Sequence, residues 1–294
     1  MAARAQSAAK KQITIAGFSE VGKTTLLAAL WHVLTSSGEV PGALTLASLP
    51  KEAEHLNALR DKWQSCESVP RTFVTSEHSL ALELARADSV HLGTVVLPDL
   101  AGETFTAQWT QRQAPGAMAA LFADSCGVLL LVHSTKIHQP ERLRDQASVA
   151  NMLEGGATPP NKSEPAPQQA VSWQPEESGT DVQLVDLLQC IRFHMGERRE
   201  QIRLALGVSA WDLVDNASPT DWLRRRLPLL QQYLDANSDS IQLRVYGISA
   251  QGGAYDKGTD DLLEKLNPSE RIKIVGEDCR PHDVTAPIAW LLSS

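Results

Sequence analysis

The segment from Gly17 to Thr24, with the sequence GFSEVGKT, constrains the fold of this chain more than any other feature. It matches the phosphate-binding loop pattern G-x-x-x-x-G-K-[ST] at every fixed position. An alternating strand pattern precedes it at 12–16, and an apolar helical pattern follows it at about 24–35. A loop between a strand and a helix N-terminus gathers backbone N–H groups at the positive end of the helix dipole. The sequence therefore predicts a phosphate site at the start of the first helix.

Each fixed residue of this loop has a chemical reason. Gly17 and Gly22 permit backbone angles and a close approach that a Cβ would prevent. Lys23 would contact the β- and γ-phosphates of a nucleotide, and the Thr24 hydroxyl would bind Mg²⁺. The alternative is a glycine-containing turn beside a surface lysine, which the order of strand, loop and helix disfavours. The candidate nucleotide-binding residues of this segment are Gly17, Glu20, Val21, Gly22, Lys23, Thr24 and Thr25.

Composition and charge argue against several classes of protein. The net charge of -8 opposes general binding to a nucleic-acid backbone, which relies on Lys and Arg. The four cysteines are scattered and form no C-x-x-C pair, so we expect reduced thiols in a cytoplasmic protein. The basic N-terminal residues lack the apolar core of a signal peptide, and no apolar run has the length of a membrane span. We therefore expect a soluble, cytoplasmic protein without a membrane span.

The periodicity along the chain predicts alternating strands and helices. The segment 78–86 alternates cleanly and is expected to be a half-exposed edge strand, antiparallel to its neighbour. We therefore predict an α/β fold: a mostly parallel six-stranded sheet with one antiparallel edge strand and helices on both faces. The strand patterns lie at 12–16, 78–86, 91–98, 126–132, 202–208 and 241–246, and the helical patterns lie at 24–35, 50–65, 104–123, 182–193, 222–234, 260–266 and 285–292.

We expect one domain from residue 12 to residue 294, preceded by a flexible tail at 1–11. The helical pattern at 50–65 is interpreted as an insertion, and the pattern at 104–123 is expected to break near Pro115. Residues 138–180 are rich in Pro, Gln, Glu, Ser and Gly and have too little apolar content to pack, so a flexible insertion is expected there. Pro228 is expected to kink its helix or to start a new turn, and Thr285 is a candidate N-cap.

Three further polar segments follow predicted strands. They have the sequences DLAG at Asp99–Gly102, SAWD at Ser209–Asp212 and SAQ at Ser249–Gln251. In an open α/β sheet, ligands bind at the carboxyl ends of the strands. We therefore expect these segments to lie at the same edge of the sheet as the phosphate loop.

In order and spacing, these segments resemble those of a Ras-like GTPase of the TRAFAC class, over essentially the whole chain. The resemblance implies that Asp99 binds Mg²⁺ through water and that the Gly102 amide contacts the γ-phosphate. It also implies that Asp212 recognises guanine, while the backbone of Ser249 and Ala250 faces the guanine carbonyl. The best match to the switch threonine, whose hydroxyl joins Mg²⁺, is Thr72, with Thr75 as the alternative.

Within that class, three features resemble the bacterial double-GTPase proteins of conflict systems: Glu103, the Trp211–Asp212 pair and the loop at 70–72. Two positions depart from the class pattern. Ala210 replaces the lysine that usually stacks over the base, and Trp211 would either supply that stacking or lie in the core. Glu103 replaces the amide that positions water, and its carboxylate would either repel the γ-phosphate or orient and deprotonate water.

Two of these assignments have a simpler alternative. Asp212 could be a helix N-cap near Asn216 and Ser218. Thr72 could be an ordinary loop threonine.

The resemblance implies an enzyme: a Mg²⁺-dependent molecular switch that binds GTP and GDP and hydrolyses GTP slowly. Its loops would signal to a protein effector or to GTPase-associated proteins, and a nucleotide-dependent dimer is a further option. The alternatives are a phosphate-loop ATPase or nucleotide kinase, and a nucleotide-bound scaffold with negligible turnover. The candidate catalytic residues are Lys23, Thr72, Gly102, Glu103 and Arg71, the last as a source of transition-state charge, and the candidate metal ligands are Thr24, Thr72 and Asp99.

Overall fold

The computed structural model describes residues 11–36, 42–68, 80–86, 92–97, 102–139, 174–196, 201–254 and 267–293. Within these residues, eight strands form one sheet, and eight α-helices cover it. The strands are β1 (Gln12–Ala16), β2 (Thr45–Leu46), β3 (Leu80–Ala85), β4 (Gly93–Leu97), β5 (Gly127–His133), β6 (Ile202–Ser209), β7 (Ile241–Ser249) and β8 (Lys273–Val275). The helices are α1 (Lys23–Thr35), α2 (Ala53–Gln64), α3 (Gly102–Gln111), α4 (Gly116–Asp124), α5 (Thr180–Met195), α6 (Pro219–Arg226), α7 (Pro228–Ala236) and α8 (Ala286–Leu292).

The sheet has the strand order β2-β3-β4-β1-β5-β6-β7-β8. The central strands β4, β1, β5, β6 and β7 are parallel, whereas the pairs β2–β3, β3–β4 and β7–β8 are antiparallel. The α/β class is thus confirmed, but the prediction of six strands with one antiparallel edge strand is wrong. β3 is not an edge strand because β2 pairs with it, and β8 lies at the opposite edge. β2 and β8 contain two and three residues, which is too short to show an alternating pattern in the sequence.

Strand β5, which is apolar up to Val132, lies between two hydrophobic cores. Its side chains alternate between the two faces of the sheet, as the twofold period of a strand requires. Leu129 and Leu131 pack into the core that includes α1, α2 and α8. Val128, Leu130 and Val132 pack into the core that includes α3 to α7. Burial on both faces explains why this strand has no polar positions between Val128 and Val132.

The predicted helix at 50–65 is confirmed as α2. Its buried residues Leu56, Leu59 and Trp63 lie on one stripe at helical spacing and pack in the same core as α1. The indole N–H of Trp31 in α1 donates to Asn57 Oδ1 in α2 at 3.0 Å. α2 thereby buries the outer side of α1, in which every residue from Leu26 to Val33 is buried.

Prolines begin several of the later helices. Pro228 starts α7 immediately after α6, so the predicted interruption is confirmed as a new helix. Proline is suited to the first helical turn because no backbone N–H donor is needed there. Thr285 is the N-cap residue of α8, as expected, but its hydroxyl donates to Asp283 Oδ1 and makes no capping hydrogen bond to the helix. Most of the predicted tail, residues 140–173 of the predicted insertion and the predicted helix at 260–266 lie outside the described residues.

Candidate functional site

The carboxyl ends of the central parallel strands lie side by side. His133, the last residue of β5, is in register with Ser209, the last residue of β6. Ser209 is in turn in register with Ile248, one residue before the end of β7. β1 pairs with β5 on the other side and leads into the phosphate loop. The sheet therefore brings the phosphate loop together with the segments at 209–212 and 249–251.

The backbone of the phosphate loop makes a tight turn that requires its glycines. Gly17 has φ 149, and a Cβ there would lie 2.7 Å from the Leu131 carbonyl oxygen. Gly22 has φ 87 and ψ 18 and immediately precedes α1. Glu20 adopts a left-handed conformation without being a glycine, with φ 61. The turn leaves α1 with its N-terminal N–H groups at the loop, the arrangement that binds phosphate.

The Lys23 side chain folds back over this turn. Its ammonium donates to the carbonyl oxygens of Gly17 at 2.6 Å and of Phe18 at 2.7 Å. It also lies 5.9 Å from the centre of the Phe105 ring in α3. Burial lowers the pKa of Lys23 to about 8, because desolvation disfavours the charged form. A phosphate group at the loop would stabilise this partly desolvated cation.

The segment after β6 turns sharply and presents Asp212. Ala210 is left-handed, with φ 51 and ψ 47, and precedes a 3₁₀ helix at Trp211–Leu213. The buried residue Ser134 fixes this turn from the neighbouring strand end. Its hydroxyl donates to the Ala210 carbonyl at 2.8 Å, and its N–H donates to the Ser209 carbonyl at 3.1 Å.

The Asp212 carboxylate joins the segments at 209–212 and 249–252, which form the candidate base side of the site. Asp212 Oδ1 accepts a hydrogen bond from the Ser249 hydroxyl, and that hydroxyl oxygen accepts from the Gly252 N–H at 3.1 Å. The N-cap of α6 is Ser218, whose hydroxyl oxygen accepts from the Asp221 N–H. Asp212 therefore does not cap that helix, and its carboxylate is oriented by the segment after β7.

Trp211 belongs to the core. It is buried in the cluster that includes α3 to α7. A Cβ at Gly247 in β7 would lie 2.2 Å from the Trp211 ring. The indole therefore packs directly on the β7 backbone, and it is not among the residues that line the adjacent cavity.

A cavity of about 270 Å³ lies between the phosphate loop and the base side. Its walls include Gly22 and Thr25 on one side and Asp212 and Ala250 on the other. The Ser209 hydroxyl, also in this wall, is buried and has no hydrogen-bond partner within the described part of the chain. A buried polar atom without a partner is costly, which favours a ligand that bonds to it. The cavity thus offers a glycine turn for phosphate and polar groups for a base.

His133 and Lys136 border the same region. His133 lines the cavity, and burial together with the nearby Lys136 lowers its pKa, so the imidazole is neutral at pH 7. Lys136 forms a 2.6 Å ion pair with Glu20 of the phosphate loop. Both side chains of that pair are about half exposed, so its contribution to stability is small.

The other candidate residues are only partly described. Gly102 and Glu103 are the first two residues of α3. Arg71, Thr72, Thr75 and Asp99 lie outside the described residues.

Mg²⁺ prefers hard oxygen ligands, and the Thr24 hydroxyl at the start of α1 is of that type. The described residues contain no cluster of three or more His, Cys, Asp or Glu side chains that could hold a metal ion. The fit to Mg²⁺ therefore depends on Thr24 together with ligands at positions that lie outside the described residues.

Two residues that contact the site are absent from the sequence-based candidates. Ser134 follows the apolar strand β5 at the same sheet edge, so its position after a buried strand is a signal that sequence analysis can use. Trp63 in α2 donates to the Ala250 carbonyl, 187 residues further along the chain. The sequence shows Trp63 only as part of an apolar helical stripe and gives no sign of this contact.

Two further findings concern the described residues outside this site. All four cysteines are free. Among the described helices, none combines the length and apolar character needed to cross a membrane.

Comparisons with known proteins give one family match. A family model described as Double-GTPase 1 (DO-GTPase1) matches residues 14–291. No curated protein sequence matches. Among solved structures, the Arl6 BBS3 small GTPase from Trypanosoma brucei, with the bound nucleotide analogue GppNp, is 9% identical, with 86% of this chain and 92% of that chain covered and a TM-score of 0.36. The signal recognition particle receptor SRb-GTP/SRX complex from Chaetomium thermophilum is 13% identical, with 82% and 91% covered and a TM-score of 0.37.

Proposed function

The chain belongs to the Double-GTPase 1 family of P-loop GTPases, and we propose that it is a Mg²⁺-dependent switch that binds GTP and hydrolyses it slowly. The observation that supports this most directly is the cavity that joins the phosphate loop to Asp212 and Ala250. A nucleotide in this cavity would have its phosphates at the N-terminus of α1 and its base at Asp212.

The phosphate side would act by positioning and charge. Lys23 and the N–H groups of the loop would neutralise the phosphates, while Thr24, with Thr72 and Asp99, would hold Mg²⁺. When bound, Mg²⁺ would neutralise charge that develops on the phosphate oxygens. The Gly102 amide would contact the γ-phosphate. These groups would supply the electrostatic stabilisation that accounts for most of phosphoryl-transfer catalysis.

Two residues would act on the reacting groups themselves. Glu103 would orient or deprotonate the attacking water. Arg71 would add positive charge to the transition state from the loop beside Thr72. Hydrolysis is expected to be slow because a carboxylate at position 103 also repels the γ-phosphate.

The base side would select guanine. An ionised carboxylate is only an acceptor, so Asp212 pairs with the ring N1–H and the exocyclic amine of guanine. Adenine offers no such pair of donors at that edge. A mismatched base would leave the Asp212 carboxylate unpaired, and sites of this kind reject such ligands strongly.

The switch would act by binding another protein in one of its two nucleotide states. GTP would order the loops at Thr72 and after Asp99, and hydrolysis would release them. A protein effector or a GTPase-associated protein would bind one of the two states, and a second copy of this chain is one option. The four free cysteines fit a reducing compartment, which supports a cytoplasmic location.

Competition binding with GTP and ATP in the presence of Mg²⁺, followed by measurement of phosphate release, tests this proposal. We expect GTP to compete at least 100-fold better than ATP, with release of phosphate over minutes or longer. Preference for ATP would favour a phosphate-loop ATPase or kinase. Tight GTP binding without phosphate release would favour a nucleotide-bound scaffold.

A further inference from the structure

A buried tryptophan contacts the base side of the cavity from α2. Trp63 is fully buried, and its indole N–H donates to the Ala250 carbonyl oxygen at 3.0 Å. The side-chain amide of Gln251 donates back to the Trp63 carbonyl at 3.5 Å. Ala250 and Gln251 line the cavity, whereas Trp63 does not. α2 is therefore bonded to this segment from behind the cavity wall.

A buried cation fixes Trp63. Arg271, only 1% exposed, has its guanidinium 4.6 Å from the centre of the Trp63 ring. The guanidinium donates to the carbonyls of Gln64 at 3.2 Å and of Trp63 at 3.4 Å, and to Cys66 Sγ at 2.6 Å. A buried guanidinium is costly unless its N–H groups have acceptors. The end of α2 is thus held at a defined position under the segment after β7.

A neutral imidazole also contacts the Trp63 ring. The His32 ring lies 4.9 Å from the Trp63 ring and bonds to the Ser269 hydroxyl at 2.9 Å. Burial, and secondarily the charges of Arg271 and Arg60, lower the pKa of His32 to about 4. His32 therefore adds no second positive charge beside Arg271 at pH 7.

The same segment is constrained at a second point. Gly252 has φ 87, and a Cβ there would lie 2.4 Å from the Arg271 carbonyl oxygen. The backbone of Arg271 thus packs directly on Gly252, while Trp63 bonds to Ala250. The Trp63 contact to Ala250 and the Arg271 contact to Gly252 together fix the backbone position of residues 249–252.

These contacts set the direction of the backbone N–H groups. In a planar trans peptide, the C=O of one residue and the N–H of the next point in opposite directions. Because Trp63 binds the Ala250 carbonyl, the Gln251 N–H points away from α2. We propose that Trp63 is a positioning residue for guanine specificity, directing the Gln251 N–H at the 6-carbonyl of the base. This inference rests on the proposed GTP site.

The test compares two nucleotides that differ only at position 6 of the base. In 6-thio-GTP, sulfur replaces the carbonyl oxygen, and sulfur is a weak hydrogen-bond acceptor. Trp63→Phe keeps an aromatic ring but removes the N–H donor. We expect the wild type to prefer GTP to 6-thio-GTP. In the variant we expect this preference to shrink by about three- to tenfold through weaker GTP binding, the range that one neutral hydrogen bond gives.

Trp31→Phe is the matched control. Trp31 is also buried, and its indole N–H makes a bond of the same length to Asn57 between α1 and α2. This variant should lose comparable stability but keep the wild-type ratio of the two affinities. If Trp63 has a purely structural role, Trp63→Phe and Trp31→Phe should have the same ratio of GTP affinity to 6-thio-GTP affinity.

A second variant acts on the same segment from the side of Arg271 and leaves the residues of α2 unchanged. Gly252→Ala should displace residues 249–252 from the side of Arg271 and also reduce the preference for GTP over 6-thio-GTP. Unchanged preference in folded Trp63→Phe, or in Gly252→Ala if Trp63→Phe does not fold, overturns the inference. If the wild type does not prefer GTP to ATP, the proposed function and the inference are refuted together. If the wild type prefers GTP to ATP but the variants retain the wild-type preference for GTP over 6-thio-GTP, the inference alone is refuted.

Discussion

At the scale of single residues, the charge of Lys23 is the property of the phosphate loop most sensitive to its surroundings. Its ammonium is largely buried and bonds to two carbonyl oxygens, and burial lowers its pKa to about 8. A bound phosphate would favour the charged form and raise this pKa. Binding of a triphosphate is therefore coupled to protonation of Lys23.

This coupling predicts the pH dependence of nucleotide binding. Below pH 8 the free protein already carries the proton, so the affinity for GTP is highest there. Above pH 8 binding must take up a proton, so the affinity should fall with rising pH, by at most about tenfold per pH unit. Isothermal titration between pH 7 and pH 9 measures this.

Lys23→Arg is the control for that measurement, because arginine keeps its charge throughout this range. Its affinity should stay flat with pH, even if it starts lower. If the GTP affinity of the wild type and of Lys23→Arg falls equally with rising pH, the titrating group belongs to the ligand and not to Lys23.

The sequence predicts some of the site residues and not others, for a physical reason. The loop from Gly17 to Thr25 has fixed spacing, so its residues can be identified without the fold. Asp212 and Ser249 follow predicted strands, and they do meet at one sheet edge. The place of Ser134 after β5 can be identified from the sequence, but its bond to a carbonyl 76 residues away cannot. Trp63 bonds to a carbonyl 187 residues away, a contact that depends on packing and that no local pattern encodes.

At the scale of elements, the contact between β7 and the 3₁₀ helix at Trp211–Leu213 determines where Asp212 lies. The Trp211 ring packs directly on the backbone of Gly247. Only a residue without a Cβ permits this approach, since a Cβ would lie 2.2 Å from the ring. The packing of Trp211 and the position of Asp212 are therefore linked.

Gly247→Ala should consequently destabilise the protein by about 1–3 kcal/mol, the range for overpacking a core, and should also weaken nucleotide binding. Gly116→Ala is the matched control, because a Cβ at this first residue of α4 meets nothing within 4 Å. It should be neutral or slightly stabilising. Denaturant unfolding of both variants checks the prediction, and equal stability of the two would contradict it.

The sequence predicts long, regular strands and helices better than short ones. The long strands β5, β6 and β7 and the helices α1 and α2 match their sequence patterns closely. β2 and β8 did not appear in the pattern because two or three residues cannot establish a period. Because the sequence gives no sign of β2, it predicts that β3 lies at the edge.

At the scale of the whole molecule, one sheet joins two cores. Trp31 and Trp63 lie in the core on one face, and Trp211 and Trp222 lie in the core on the other. β5 contributes side chains to both cores, so the loss of packing in one core removes the support from one face of a strand on which the other core depends. This supports the proposal that residues 12–294 form one domain.

We therefore predict a single cooperative unfolding transition. The far-UV circular dichroism and tryptophan fluorescence midpoints should coincide. Trp31→Phe and Trp222→Phe each remove a fluorescent reporter from one core. Within each variant, the midpoint measured by the remaining tryptophan fluorescence should still equal the midpoint measured by circular dichroism. Two separated transitions in either variant would contradict a single domain.

The central claim is that this cavity selects guanine through Asp212. Asp212→Asn keeps an acceptor oxygen for the Ser249 hydroxyl but presents an amide N–H₂ to the base. That amide can donate to the carbonyl that xanthine has in place of the guanine amine. Competition binding with GTP, XTP and ATP should therefore show that Asp212→Asn loses affinity for GTP and gains affinity for XTP, with the phosphate contacts unchanged. An unchanged order of preference in a folded Asp212→Asn variant would contradict guanine recognition by Asp212.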